Sequence, residues 1–127
     1  ARASRFRPAR RPPPRRRRPV PHPSPRRAEP MWIGWLEFDI LLGAVASLKQ
    51  KRSVVRPIVA ELRKRFAVSA AETGHLDLHR RAGIGVAVVA ADAAHVTEVL
   101  DAAEHLVAAR PEIELLSARR GLRRSDD

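Results

Sequence analysis

From position 31 the chain alternates between two kinds of residue. Gly34, Leu36, Phe38 and Ile40 fall on one side, and Ile33, Trp35, Glu37 and Asp39 on the other. This period of two predicts a strand over residues 31–42, with the first set facing a core and the second half-wetted, Trp35 being exposed or covered by a partner. After a short connection at 43–46 the period changes. Leu48, Val55, Ile58, Val59, Leu62 and Phe66 recur at helical spacing and predict a helix over about 48–65. Ser47 and Gln50 supply a capping box at its start. Pro57 falls inside it, lacks a backbone donor, and predicts a kink or a helix that restarts there. Residues 66–73 read as a short Ala-rich strand, 74–78 as a turn, and 80–90 as a third strand. In that strand Ile84, Val86 and Val88 face the core, and Gly83, Gly85 and Ala87 face away. Asp92 caps a second helix running to about Ala108, buried along Val96, Val99, Leu100, Ala103, Leu106 and Val107. Pro111 closes the following loop, and residues 113–118 make a last strand.

The order β-α-β-β-α-β predicts an α+β, ferredoxin-like sandwich over residues 31–119. Its four-stranded antiparallel sheet is covered by two helices on one face, and residues 120–127 read as a frayed C-terminus. The other sheet face would carry Ile33, Trp35, Gly83, Gly85 and Ala87. Such an apolar, small-featured surface suits packing against protein, so a homodimer through this face or an edge strand is expected.

Charge separates the chain into two unlike parts. Of a formal net charge of +11, residues 1–30 hold +10, with eleven Arg, one Glu and nine of the 11 Pro. The remainder is nearly neutral, so the basic pI describes the first thirty residues. Those residues cannot build a core and predict a disordered, partly polyproline tail. Electrostatic binding of nucleic acid and docking in an aromatic groove are two readings of it. A third, which the composition favours, is a GC-rich stretch upstream of the true start, because Met31 is the sole methionine and stands where the globular pattern begins. The chain has no cysteine, which excludes disulfides, thiolate zinc sites and cysteine nucleophiles, and fits a reducing cytoplasm, the expected location. No apolar run approaches the roughly 20 residues of a membrane span, and residues 1–30 lack the apolar region of a secretory signal.

The first helix opens with cations. Lys49, Lys51 and Arg52 follow Ser47, with Arg56 one turn on, although helix N-termini favour acidic neighbours. Cations placed against the dipole, beside free backbone N–H groups, suit an anion, and a nucleic-acid phosphate is the natural candidate. Ser47, Lys49, Lys51, Arg52 and Arg56 are therefore the expected nucleic-acid-binding set; such contacts position a strand without reading its bases. Arg63, Lys64 and Arg65 end the same helix, where cations stabilise it.

His75, Asp77 and His79 would share one face of an extended strand and could approach zinc. No fourth ligand accompanies them, and they read better as a polar turn, with Asp77 capping it or pairing with Arg80 or Arg81. Glu72, on an apolar strand, is expected to pair with a helix cation. No nucleophile and base stand together, and Gly83-x-Gly85 lacks the third glycine of a dinucleotide site. The expectation is a non-enzymatic protein with no metal and no cofactor. RNA-recognition motifs share this element order but stack bases on aromatics, and here Gly83, Gly85 and Ala87 occupy the matching positions.

Residues from Met31 to about Arg119 resemble the YlxP-like family of small bacterial proteins. The resemblance rests on Gly34 and Leu36, Ser47-Leu48-Lys49 with Lys51-Arg52, and Arg65-Phe66-Ala67-Val68-Ser69. It continues through Ala71-Glu72, Asp77-Leu78 and Gly85-Val86-Ala87-Val88. Gly74 stands where an acidic residue is usual, and His79 and Arg80 replace what is commonly a Trp-Gln pair. The resemblance implies a ferredoxin-like fold and no established activity. Its genes often neighbour those of translation initiation and ribosome maturation, which implies a role near RNA or the ribosome. Family members begin where Met31 stands. The leading expectation is an RNA- or ribosome-associated protein that contacts phosphates through its first helix. The alternative is a homodimeric protein-interaction module that binds no nucleic acid. A third, weaker option is a small-ligand or metal enzyme using Glu72, His75, Asp77 and His79.

Overall fold

Each of two helices carries the chain across a sheet to a strand that is not a neighbour of the one before. The computed structural model describes residues 8–19 and 29–127. It contains β1 (Trp32–Leu42), α1 (Leu48–Arg65), β2 (Ser69–Gly74), β3 (Arg81–Ala90), α2 (Ala93–Ala108) and β4 (Ile113–Arg124). The strand order is β2-β3-β1-β4, and every neighbouring pair is antiparallel. This is the ferredoxin-like sandwich that the element order predicts. Residues 8–19 carry no regular secondary structure and are exposed. The expectation of a disordered tail otherwise falls on residues outside the described ones.

Alternation along β1 sorts its residues as expected. Leu36, Phe38, Ile40 and Leu42 are buried beside Ala82, Ile84, Val86 and Val88 of β3 and Ala70 of β2. Val55, Ile58, Val59 and Leu62 of α1 and Val96, Leu100, Ala103 and Val107 of α2 close the core from above. Gly34 lets α2 approach, since a side chain there would collide with Val96. Both helix starts are capped. Ser47 Oγ accepts from the Gln50 N–H at 3.1 Å, and Asp92 Oδ1 accepts from the His95 N–H at 2.8 Å. Gln50 Oε1 reaches back to the Ala46 N–H, one residue before the usual capping-box partner. No helix among the described residues is long and apolar enough to cross a membrane.

Three boundaries differ from expectation. The helix runs unbroken through Pro57 and does not restart. Pro57 and Ser53 are both exposed, so the carbonyl that loses its donor can be hydrated, while buried residues on both sides hold the helix against the sheet. β2 begins at Ser69 rather than at residue 66, because the Phe66 N–H still closes the last turn of α1 on the Leu62 carbonyl. Residues 120–124 are not frayed: they pair with Trp32–Leu36 and extend β4 to Arg124. Gly121 lies under the Trp35 ring, the Arg124 guanidinium sits 5.9 Å from the Trp32 ring centroid, and the Ser125 N–H donates to the Met31 carbonyl.

Candidate functional site

A helix that buries one stripe exposes the opposite one. Lys49, Arg52, Arg56 and Arg63 stand at i, i+3, i+7 and i+14, so they share one side of α1, flanking its buried stripe, all exposed. At 1.5 Å per residue the row is about 21 Å long. Among the described residues Lys49, Arg52 and Arg56 form no ion pair, and Arg63 Nε donates to the Ala70 carbonyl at 2.9 Å. Most arginines elsewhere in the domain are held. Arg81 pairs with Asp39, Arg110 with Glu61 and Glu112, Arg119 with Glu37, and Arg120 with Asp101 and Glu104.

Lys51 does not belong to this row. Its side chain is 2% exposed, with Nζ 2.8 Å from Glu72 Oε1 and donating to the His75 carbonyl at 2.6 Å. The expected phosphate role is thereby corrected. Residues 51, 55, 58 and 62 lie on one helical face, and Lys51 occupies the position that a core residue would take. Glu72 does pair with a helix cation, as its place on an apolar strand suggests, and that cation is Lys51. The Glu72 oxygen is buried and meets the ammonium as an ionic contact rather than a well-aligned hydrogen bond. Ser47 acts as the cap: its hydroxyl and carbonyl take the Gln50 and Lys51 N–H groups, which are then not offered to an anion.

The loop joining β2 and β3 is fixed from below by the same lysine. His75 adopts φ 53, the left-handed region that non-glycine residues seldom enter, with its carbonyl on Lys51. Its Nε2 lies 3.5 Å from Asp39 Oδ1. Arg81 donates to both oxygens of Asp39, at 3.1 and 2.5 Å. That bidentate bond, chiefly, holds the Asp39 carboxyl below its ordinary value, with the nearby His75 adding less and burial opposing. Asp77 makes neither of its expected pairings, because Arg81 is engaged by Asp39 and Arg80 donates to the Gly43 carbonyl. His75, Asp77 and His79 lie in a loop rather than on a strand, so their alternate spacing does not put them on one face. No three His, Cys, Asp or Glu side chains among the described residues converge as metal ligands. An open cleft of about 380 Å³ lies beside His75, bounded by Glu37, Asp39, Thr73, Ser117 and Arg119 over Gly74 and Gly83.

Register places Ile33, Trp35, Gly83, Gly85 and Ala87 on the sheet face away from the helices. Trp35 is 39% exposed, and β4 of its own chain covers part of it, since the ring lies across Gly121 where no side chain would fit. Beside the indole is an apolar hollow, floored by Gly85, Ala87 and Ala71 and edged by Ser69 and Thr73.

Comparison with known proteins identifies a family for the domain. Residues 33–120 match the family model described as "Protein of unknown function (DUF503)". The chain is 30% identical over 82 residues to "Uncharacterized protein YlxP" of Bacillus subtilis (strain 168), covering 65% of this chain and 89% of that protein. The resemblance read from Ser47-Leu48-Lys49, Ala71-Glu72 and Gly85-Val86-Ala87-Val88 is thus a family relationship, and the chain belongs to the DUF503 family.

Proposed function

We propose that this domain is a non-enzymatic RNA-binding protein that holds phosphates along one exposed side of α1 through Lys49, Arg52, Arg56 and Arg63. The observation that supports this reading is the contrast in pairing. On α1 a row of cations about four turns long stands exposed, and none of its four members has an ionic partner among the described residues, Arg63 being held only by the Ala70 carbonyl. Elsewhere on the domain most arginines are neutralised by carboxylates. A row about 21 Å long would follow several consecutive phosphates of a single strand. Contacts of this kind are to backbone and carry no base preference, so the reading is of RNA or a ribosomal particle bound without a sequence motif. The gene neighbourhood that the family resemblance implies points the same way.

The test uses residues 31–127, which contain the whole hydrophobic core and leave out the arginine-rich segment. Four phosphate contacts to single-stranded RNA predict a slope of log K against log[salt] of about −3. Replacing Lys49, Arg52 and Arg56 by Ala should flatten that slope to about −1 and weaken binding to RNA and to small ribosomal subunits, with the urea midpoint unchanged. Binding that survives the triple replacement undiminished would exclude this surface. Lys51 is left intact because its removal would report on folding.

A further inference from the structure

We infer that the open sheet face is a self-complementary surface that joins two copies of this chain, the Trp35 indole of each entering the Gly85–Ala87–Ala71 hollow of the other. The inference is independent of RNA binding.

An isologous contact requires that one surface carry both halves of the fit. This face does: the Trp35 indole, packed on Gly121 of its own chain, leaves 39% of its surface exposed. The hollow lies immediately beside it over β3 and β2, with a mostly apolar lining of Gly85, Ala87, Ala71 and the methyl-bearing Thr73. Gly85 bears no side chain, and the Thr73 side chain leans over it to form one wall of the hollow. Val89, 60% exposed and paired with Ile33, extends the apolar half of the face.

Charge allows the same contact. Toward the other end of β1 the face turns polar, and its charges cancel in pairs: Asp39 with Arg81 at 2.5 Å and Glu37 with Arg119 at 3.1 Å. An apolar centre bordered by paired charges is the anatomy of a protein interface. The Glu37–Arg119 pair is the more exposed of the two and can exchange partners across a two-fold axis. Two other surfaces of the domain suit a second copy less well. The exposed row of α1 is uniformly cationic, and the β4 edge carries a bulge beside Asp39 and a run of arginines, which are devices that keep strand edges apart.

Size bears on the same contact. Four strands about 4.8 Å apart and about 30 Å long give roughly 600 Å² in projection. A standard interface buries about 800 Å² of accessible surface on each partner, so this face lies at the lower end of what a specific dimer uses.

Sedimentation equilibrium of the full chain, from low to several hundred micromolar and in high salt to screen the arginine-rich segment, measures the association directly. The expected result is a reversible monomer–dimer equilibrium. Ala87→Arg, an exposed position in the hollow, should weaken it at least tenfold while leaving the far-ultraviolet circular dichroism and the urea midpoint unchanged. Trp35→Ala should weaken it similarly, but because Trp35 also covers Gly121, Ala87→Arg is the decisive variant. A chain that stays monomeric throughout would overturn the inference and leave the face to a different protein. A dimer insensitive to Ala87→Arg would overturn it by placing the contact elsewhere, the β2 edge first.

Discussion

A lysine at 2% exposure has given up its hydration, and Glu72 and the His75 carbonyl stand in for the lost water. The pair is worth little against a well-packed apolar substitute, but half of it is costly. Glu72→Ala should therefore lower stability by about 3 kcal/mol in urea unfolding. Lys51→Met with Glu72→Leu should recover most of that loss. A double replacement no more stable than Glu72→Ala would show that the pair does more than fill space, with the left-handed His75 turn as the next suspect. The position was legible and was misread. Residues 51, 55, 58 and 62 fall on one helical face, and that spacing alone puts Lys51 under the helix rather than on it. Residue type prevailed over position, because a lysine between Lys49 and Arg52 reads as one more member of a cationic run. The bidentate Asp39–Arg81 pair was not legible: its members are 42 positions apart and meet only once β1 and β3 are in register.

Elements whose residues see each other through local periodicity were readable from the sequence, and ends fixed by a distant partner were not. The helix spans follow from apolar spacing and from Ser47 and Asp92 as caps. Pro57 does not end α1, and the Ser53 carbonyl that loses its donor belongs to an exposed residue. The far end of β4 carries Arg119, Arg120, Arg123 and Arg124, which read as a solvated tail. What makes it a strand is β1, which offers backbone partners from Trp32 to Leu36, and Trp35, which needs a glycine at 121. Removing residues 120–127 should strip the outer ladder from that half of β1. With roughly 1 kcal/mol for each cross-strand hydrogen bond lost, the deletion should cost about 5 kcal/mol, read as a lower urea midpoint. A chain ending at Arg119 with an unchanged midpoint would mean that these pairings add nothing to stability.

At the scale of the whole molecule the charge lies in the wrong place for a simple argument. Residues 1–30 hold +10 of the net +11, so any bulk polyanion assay on the full chain reports on those residues first. The domain's own field is local and two-sided: α1 carries Lys49, Lys51, Arg52, Arg56, Arg63, Lys64 and Arg65 against Glu61. Beside it α2 has Glu98, Asp101 and Glu104 and no lysine or arginine. A nearly neutral domain can therefore present a cationic row on one side of its helical layer. The two contributions separate by salt. Eleven arginines and a four-cation row on single-stranded RNA predict a slope of log K against log[salt] approaching −10 for the full chain, against about −3 for residues 31–127. Reversing Arg52 and Arg56 to Glu should abolish binding by residues 31–127 yet change the full chain's affinity little at low salt, where the arginine-rich segment dominates. Equal slopes for the two chains would show that the first thirty residues do not touch RNA. A zero slope for the shorter one would remove α1 from the reading and leave the sheet face as the surface through which the domain acts.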